Sequence, residues 1–219
     1  MKKYILLLVS WAVVSFASSV NEKLAQDCDL NDSVACYNLG VLYHKGQGVE
    51  KDDKKALTFY TKACDLQYPS ACNNLGLLYE NQKNYKKALE LYAKACDLKN
   101  PNACGNLGTL YYTGQGVKQD YKKAFVIYSK ACDLKNPSAC NNLGVLHYKG
   151  LGVEQDYKKA FAFYSKACDL EHSGACYNLG VSYKNGQGVK QNLKKAKDYY
   201  GKACDLGIQQ GCDMYKKLN

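Results

Sequence analysis

The sequence predicts an all-α fold: a right-handed α/α solenoid of helix hairpins stapled by disulfides. Three observations carry this. The 12 cysteines of the 219-residue chain form six pairs whose members lie eight apart: 28/36, 64/72, 96/104, 132/140, 168/176 and 204/212. The first members recur at intervals of 36, 32, 36, 36 and 36 residues, a spacing on the scale of solenoid repeats. Within each interval the apolar residues keep a helical period. Ala35, Leu39 and Tyr43 fall at i, i+4, i+8, and Ala56, Tyr60 and Ala63 at i, i+4, i+7.

The chain opens with Met1-Lys2-Lys3, an uncharged and mostly apolar stretch over 4–16, and the small residues Ala17-Ser18-Ser19. That order is the layout of a secretory signal, so residues 1–19 are expected to be removed, with cleavage after about Ala17 or Ser19. The apolar run is shorter than the roughly 20 residues a bilayer-spanning helix takes. The remaining chain, 20–219, is expected to be the solenoid, secreted or periplasmic and without stable membrane insertion.

Aligned on the cysteines, each unit reads the same way. The second Cys of a pair opens Cys-x-Asn-Leu-Gly at 36–40, 72–76, 104–108, 140–144 and 176–180. Gly-x-Gly-Val follows at 46–49, 114–117, 150–153 and 186–189, where glycine's tolerance of positive φ stops a helix. Lys-Lys-Ala at 54–56, 86–88, 122–124, 158–160 and 194–196 begins the second helix, which closes on Tyr-x-Lys-Ala-Cys-Asp-Leu. Asn100-Pro101 and Asn136-Pro137 read as an N-cap followed by proline at the first helical position. Each unit is therefore helix A, glycine loop, helix B and a tight turn. Five units run over about 33–66, 69–98, 101–134, 137–170 and 173–206, with terminal half-repeats as caps. The second unit lacks Gly-x-Gly-Val and is four residues short, a deletion that spares both helices.

This order of motifs resembles the Sel1-like repeats, relatives of the tetratricopeptide repeat. With a signal segment and cysteines eight apart, it is similar to the secreted cysteine-rich Hcp proteins of Helicobacter. The resemblance covers nearly the whole of the chain after the signal segment. It implies the solenoid fold and carries an association with penicillin binding and β-lactamase activity.

Two disulfide schemes suit antiparallel helices. Joining the cysteines within one hairpin strands Cys28 and Cys212. Joining each Cys to the one eight residues on uses all twelve, across a turn that brings both within reach. The second scheme is preferred: Cys28–Cys36, Cys64–Cys72, Cys96–Cys104, Cys132–Cys140, Cys168–Cys176 and Cys204–Cys212. The Hcp resemblance points the same way.

The chain offers little recognisable chemistry. A serine β-lactamase needs a serine three residues before a lysine, with Ser-Asp-Asn and Lys-Thr-Gly elements, and none of these occurs. Ser129-Lys130 and Ser165-Lys166 have the wrong spacing. The three histidines, His44, His147 and His172, are isolated, so no metal and no cofactor is expected. No catalytic residue is named; if the chain is an enzyme, the resemblance makes it a β-lactamase. Nucleic acid is disfavoured as a partner, because every basic residue is Lys and bidentate guanine readout needs Arg.

One asparagine recurs in every unit: Asn38, Asn74, Asn106, Asn142 and Asn178. An amide both donates and accepts, which suits an extended peptide on a concave surface lined by the A helices. The alternative is a structural bond between successive helices. The Tyr stripe (Tyr60, Tyr92, Tyr128, Tyr164, Tyr200) reads as core, and the variable residues Tyr37, Asn73, Gly105, Asn141 and Tyr177 as sources of specificity. The expected function is binding in that groove by a monomer. Its partner would be a protein or peptide, or a cell-wall-derived ligand such as a peptidoglycan fragment or a β-lactam. The alternative, which the resemblance implies, is a penicillin-binding protein with slow β-lactamase activity.

Overall fold

The structure is a computed structural model that describes residues 21–218. The expected signal segment, including Trp11, lies outside the described residues. The chain divides into two compact units, one ending at Leu98 and one beginning at Lys99. The first holds α1 (21–29), α2 (Ser33–Lys45), α3 (Asp53–Asp65), α4 (Pro69–Asn81) and α5 (Tyr85–Asp97). The second holds α6 (Pro101–Thr113), α7 (Tyr121–Asp133), α8 (Pro137–Lys149), α9 (Tyr157–Asp169), α10 (Ser173–Asn185), α11 (Leu193–Asp205) and α12 (Gln209–Lys217). From α2 on, even-numbered helices are A helices and odd-numbered ones B helices. Sequential helices pack on each other within each unit, so the fold is an all-α solenoid of paired helices. Among the described residues no helix is long and apolar enough to cross a membrane.

Local chemistry sets the helix ends. Asp52, Asp120, Asp156 and Asn192 cap B helices by accepting from backbone N–H groups of the first turn. Asp32, Asn100 and Asn136 do the same for A helices. In α10 the cap is His172, whose Nδ1 accepts from Ala175 N at 3.1 Å. Gly46, Gly114, Gly150 and Gly186 end the A helices in the left-handed region. The loop then closes back on the helix it left: the N–H groups of Asp52, Asp120, Asp156 and Asn192 donate to the carbonyls of Tyr43, Tyr111, His147 and Tyr183, each at 2.9 Å. In the second repeat α4 stops at Asn81 and Asn84 caps α5, so the four-residue deletion falls in the loop as expected.

The A-on-B contact is one motif used five times. Tyr60, Tyr92, Tyr128, Tyr164 and Tyr200 are buried, and each ring lies flat against the glycine of the Leu-Gly pair. A Cβ at Gly40, Gly76, Gly108, Gly144 or Gly180 would lie 2.5–2.6 Å from a tyrosine ring carbon, closer than two carbons can approach. The second glycine of the loop has a separate task. A Cβ at Gly188 would lie 2.0 Å from Tyr157 O, and one at Gly152 2.6 Å from the Tyr121 carbonyl carbon. Each of these glycines lets its loop sit directly on the start of the preceding B helix.

The turns from B to A are tight and place Gln67, Lys135 and Glu171 at positive φ, 61–63°. The disulfides clamp these turns. Cys28–Cys36, Cys64–Cys72, Cys132–Cys140, Cys168–Cys176 and Cys204–Cys212 are bonded, with Cα atoms 4.6–4.8 Å apart. Cys96 and Cys104 are also disulfide-bonded and no cysteine is free, giving six bridges.

Candidate functional site: the A-helix face

Asn38, Asn74, Asn106, Asn142 and Asn178 all stand on A helices, and all but the exposed Asn38 are half-buried. Part of their capacity is used internally. Asn74 Nδ2 donates to Tyr37 Oη at 3.5 Å, from α4 to α2, and Asn178 Nδ2 donates to Asn141 Oδ1 at 3.1 Å, from α10 to α8. Asn74 also bonds the Tyr60 hydroxyl, and Asn142 that of Tyr128. Asn74 and Asn178 thus tie successive A helices to each other, and Asn74 and Asn142 reach the tyrosine of the intervening B helix. These bonds leave half-exposed amides on the surface.

The variable residues proposed as specificity determinants make contacts with neighbouring helices and turns. Tyr37 packs against Tyr60 and Tyr68, with ring centroids 5.9 and 4.9 Å apart. Asn73 is buried, Gly105 abuts the Asn136 amide, Asn141 receives Asn178, and Tyr177 packs on Tyr200. They serve contacts both within and between repeats. Only Asn73 is fully buried; Tyr37, Gly105, Asn141 and Tyr177 are half-buried.

The surface that does vary lies one turn further along each A helix. Two cavities occupy the same register in the two units. One, of about 310 Å³, is lined by His44, Tyr60, Asn74, Leu77, Leu78 and Asn81 between α2, α3 and α4. The other, of about 260 Å³, is lined by Val145, Tyr148, Lys149, Tyr164, Asn178, Val181 and Ser182 between α8, α9 and α10. A tyrosine from the B helix and the recurrent asparagine are common to both. The remaining walls come from positions three, four, six and seven residues after an asparagine, position four being Leu42, Leu78, Leu110, Leu146 and Ser182. Position three is Val41, Leu77, Thr109, Val145 and Val181 through the five units; position six is His44, Glu80, Tyr112, Tyr148 and Lys184; position seven is Lys45, Asn81, Thr113, Lys149 and Asn185. These are the residues that reading the sequence missed. The signal was present: i, i+3 and i+7 from the asparagine share a helix face, and these positions change chemistry from unit to unit.

The tyrosine hydroxyls also differ. Tyr128 Oη pairs with Thr109 Oγ1 at 3.1 Å, and Tyr92 Oη donates to the Glu80 carboxylate. Burial pushes the phenols of Tyr60, Tyr92, Tyr128 and Tyr164 above their usual range, so all stay protonated. Tyr200 Oη is buried without a partner, because Met214 of α12 stands at the asparagine's repeat position and packs on this cluster instead.

Other sequence features have structural positions. The second lysine of Lys-Lys-Ala is exposed and lies over a helix A ring: Lys55 over Tyr43, Lys87 over Tyr79, Lys123 over Tyr111 and Lys195 over Tyr183, 4.8–5.4 Å from the centroid. In the fourth unit His147 replaces that tyrosine, stacked on Phe163, and Lys159 pairs with Asp156 at 3.8 Å instead. The Ser129 hydroxyl donates to the Phe125 carbonyl within its own helix, and among the described residues no group of His, Cys, Asp and Glu side chains could hold a metal ion.

Comparison with known proteins places these features in a family. Residues 33–68, 101–136, 137–172 and 173–208 match the Sel1 repeat, and residues 69–99 match the tetratricopeptide repeat. A Sel1 repeat protein from Oxalobacter formigenes is 31% identical with a TM-score of 0.79, over 83% of this chain and 76% of its own. The protective antigen c5321 of uropathogenic Escherichia coli, which displays an SLR fold, is 30% identical with a TM-score of 0.86, over 90% of this chain. This chain spans 43% of that antigen. A segment of 28 residues is 61% identical to the putative β-lactamase HcpC of Helicobacter pylori, 13% of this chain and 10% of that protein.

Proposed function

We propose that this chain, which belongs to the Sel1 repeat family, is an extracytoplasmic binding module whose A-helix face takes an extended segment of a protein partner. The observation that carries this is the shared register of two cavities, each with a constant asparagine and tyrosine and with walls that change from unit to unit. Constant amides suit the backbone of an extended chain, which repeats, and variable walls suit its side chains, which do not. The oxidation of all twelve cysteines supports a location outside the cytoplasm, where disulfides persist. A cell-wall peptide fragment presents the same backbone chemistry and is a ligand of the same class.

The test is a binding array of random dodecapeptides probed with the oxidised protein. Selected peptides should lose affinity on Leu77→Ser and Val181→Ser, which alter A-helix walls. They should be indifferent to Val126→Ser, at an exposed B-helix position. Equal sensitivity to all three, or no selected peptide, contradicts the reading.

Hydrolysis of a β-lactam is the second reading, and the short HcpC match favours it. A chromogenic cephalosporin assay separates the two. Turnover that follows the protein through purification, above a matched control, replaces binding with catalysis.

A further inference from the structure

We infer that the cavity between α8, α9 and α10 is a seat for a carboxylate, the glutamate side chain of an extended peptide. The inference rests on the peptide-binding reading of the A-helix face and narrows it to one ligand chemistry. It begins with Tyr164. This residue is 4% exposed and lines the cavity, yet among the described residues its hydroxyl has no hydrogen-bond partner. At the equivalent places Asn74 bonds Tyr60, and Asn142 bonds Tyr128, but Asn178 turns to Asn141 and leaves Tyr164 unserved. The hydroxyl opens on the cavity rather than being sealed from solvent, so a ligand that accepts from it can reach it there.

The protein itself contains the answering group two repeats earlier. In the second repeat Glu80, at the sixth position after Asn74, places its carboxylate on the hydroxyl of Tyr92, the counterpart of Tyr164. In the fourth repeat the position of Glu80 is taken by Tyr148, whose hydroxyl is engaged with Gln187. The receiving hydroxyl is kept and the carboxylate is missing.

The surroundings select for negative charge. Lys149 lines the same cavity, is exposed, and has no carboxylate within salt-bridge distance among the described residues. Neither α8 nor α10 contains an Asp or Glu. Val145 and Val181 supply apolar wall for the two methylenes of a glutamate, and a volume of about 260 Å³ is of side-chain size. The carboxylate would accept from Tyr164 Oη and from Lys149 Nζ.

The test is a nuclear magnetic resonance titration of the ¹⁵N-labelled oxidised chain with three blocked tetrapeptides. These are Ac-Ala-Ala-Glu-Ala-amide, its Gln counterpart, and Ac-Ala-Ala-Gln-Ala with a free C-terminus. The Glu peptide should shift the Asn178 side-chain amide saturably, and Tyr164→Phe and Lys149→Gln should each weaken it about tenfold, as expected for one charge-assisted hydrogen bond. Lys149→Gln alters an exposed side chain and keeps the test meaningful if Tyr164→Phe disturbs packing. If Glu and Gln peptides bind the A-helix face equally, the face stands and the carboxylate seat falls. If only the free C-terminus binds, the side-chain seat falls. If no peptide shifts any A-helix resonance, both readings fall.

Discussion

His172 shows how one side chain changes the behaviour of a helix. It caps α10 through Nδ1, so the ring must be neutral there, with its proton on Nε2. Protonation removes the acceptor and sets a positive charge at a helix N-terminus. Burial already holds the His172 pKa below its usual value of 6.5. A group depressed in the folded state contributes stability above its unfolded pKa and loses it as pH falls through the folded pKa. Stability should therefore decline as pH falls below about 6.5. In His172→Asn, which restores the amide cap of α6 and α8, that part of the decline should be absent. Melting curves of both proteins between pH 7.5 and 5 check this; parallel curves would contradict it. Asn100 and Asn136 were legible as caps because proline follows each. His172 was not, since histidine as an N-cap carries no sequence signature. The asparagine ladder was legible as a pattern, but its orientation was not, because the same amide serves a neighbouring helix or a ligand equally well.

Between elements, the decisive contact is helix B tyrosine on helix A glycine. Gly→Ala within a helix is ordinarily favourable by up to about 1 kcal/mol. Here the sign should reverse. Gly144→Ala drives a methyl into Tyr164, and overpacking of this kind typically costs about 1–3 kcal/mol. Chemical denaturation of Gly144→Ala against the parent checks it, and a neutral or stabilising result would show that the tyrosine moves aside freely. The small residue and the tyrosine were each visible in the repeat, and their meeting follows from antiparallel pairing of the two helices. Other inter-element features left no trace in the sequence. Gln67, Lys135 and Glu171 take positive φ, a conformation that side chains disfavour by about 1–2 kcal/mol per residue. Nothing in their chemistry announces it, because closure of the turn imposes the conformation. The walls of the two cavities were overlooked for the opposite reason: alignment draws attention to what repeats, and these positions carry information because they change.

Within each unit, stability is built from contacts between sequential helices. Each disulfide closes a short turn and contributes roughly 2–3 kcal/mol in the chain-entropy model, before native strain is subtracted. Six of them are a large share of the total for a solenoid whose repeats meet only their neighbours. Verified reduction should lower the melting temperature by more than about 10 °C, since one kcal/mol shifts a protein of this size by about 2–4 °C. An unchanged melting temperature would remove the bridges from the account of stability. In the proposed reading the constant asparagines meet a peptide backbone and the variable positions meet its side chains. Hydrogen exchange of the oxidised protein, with and without an array-selected peptide, tests that division most directly. The account predicts new protection in the C-terminal halves of the A helices, around Leu77 and Asn81 in one unit and Lys149 and Val181 in the other. Protection confined to the B helices or to the glycine loops would contradict it.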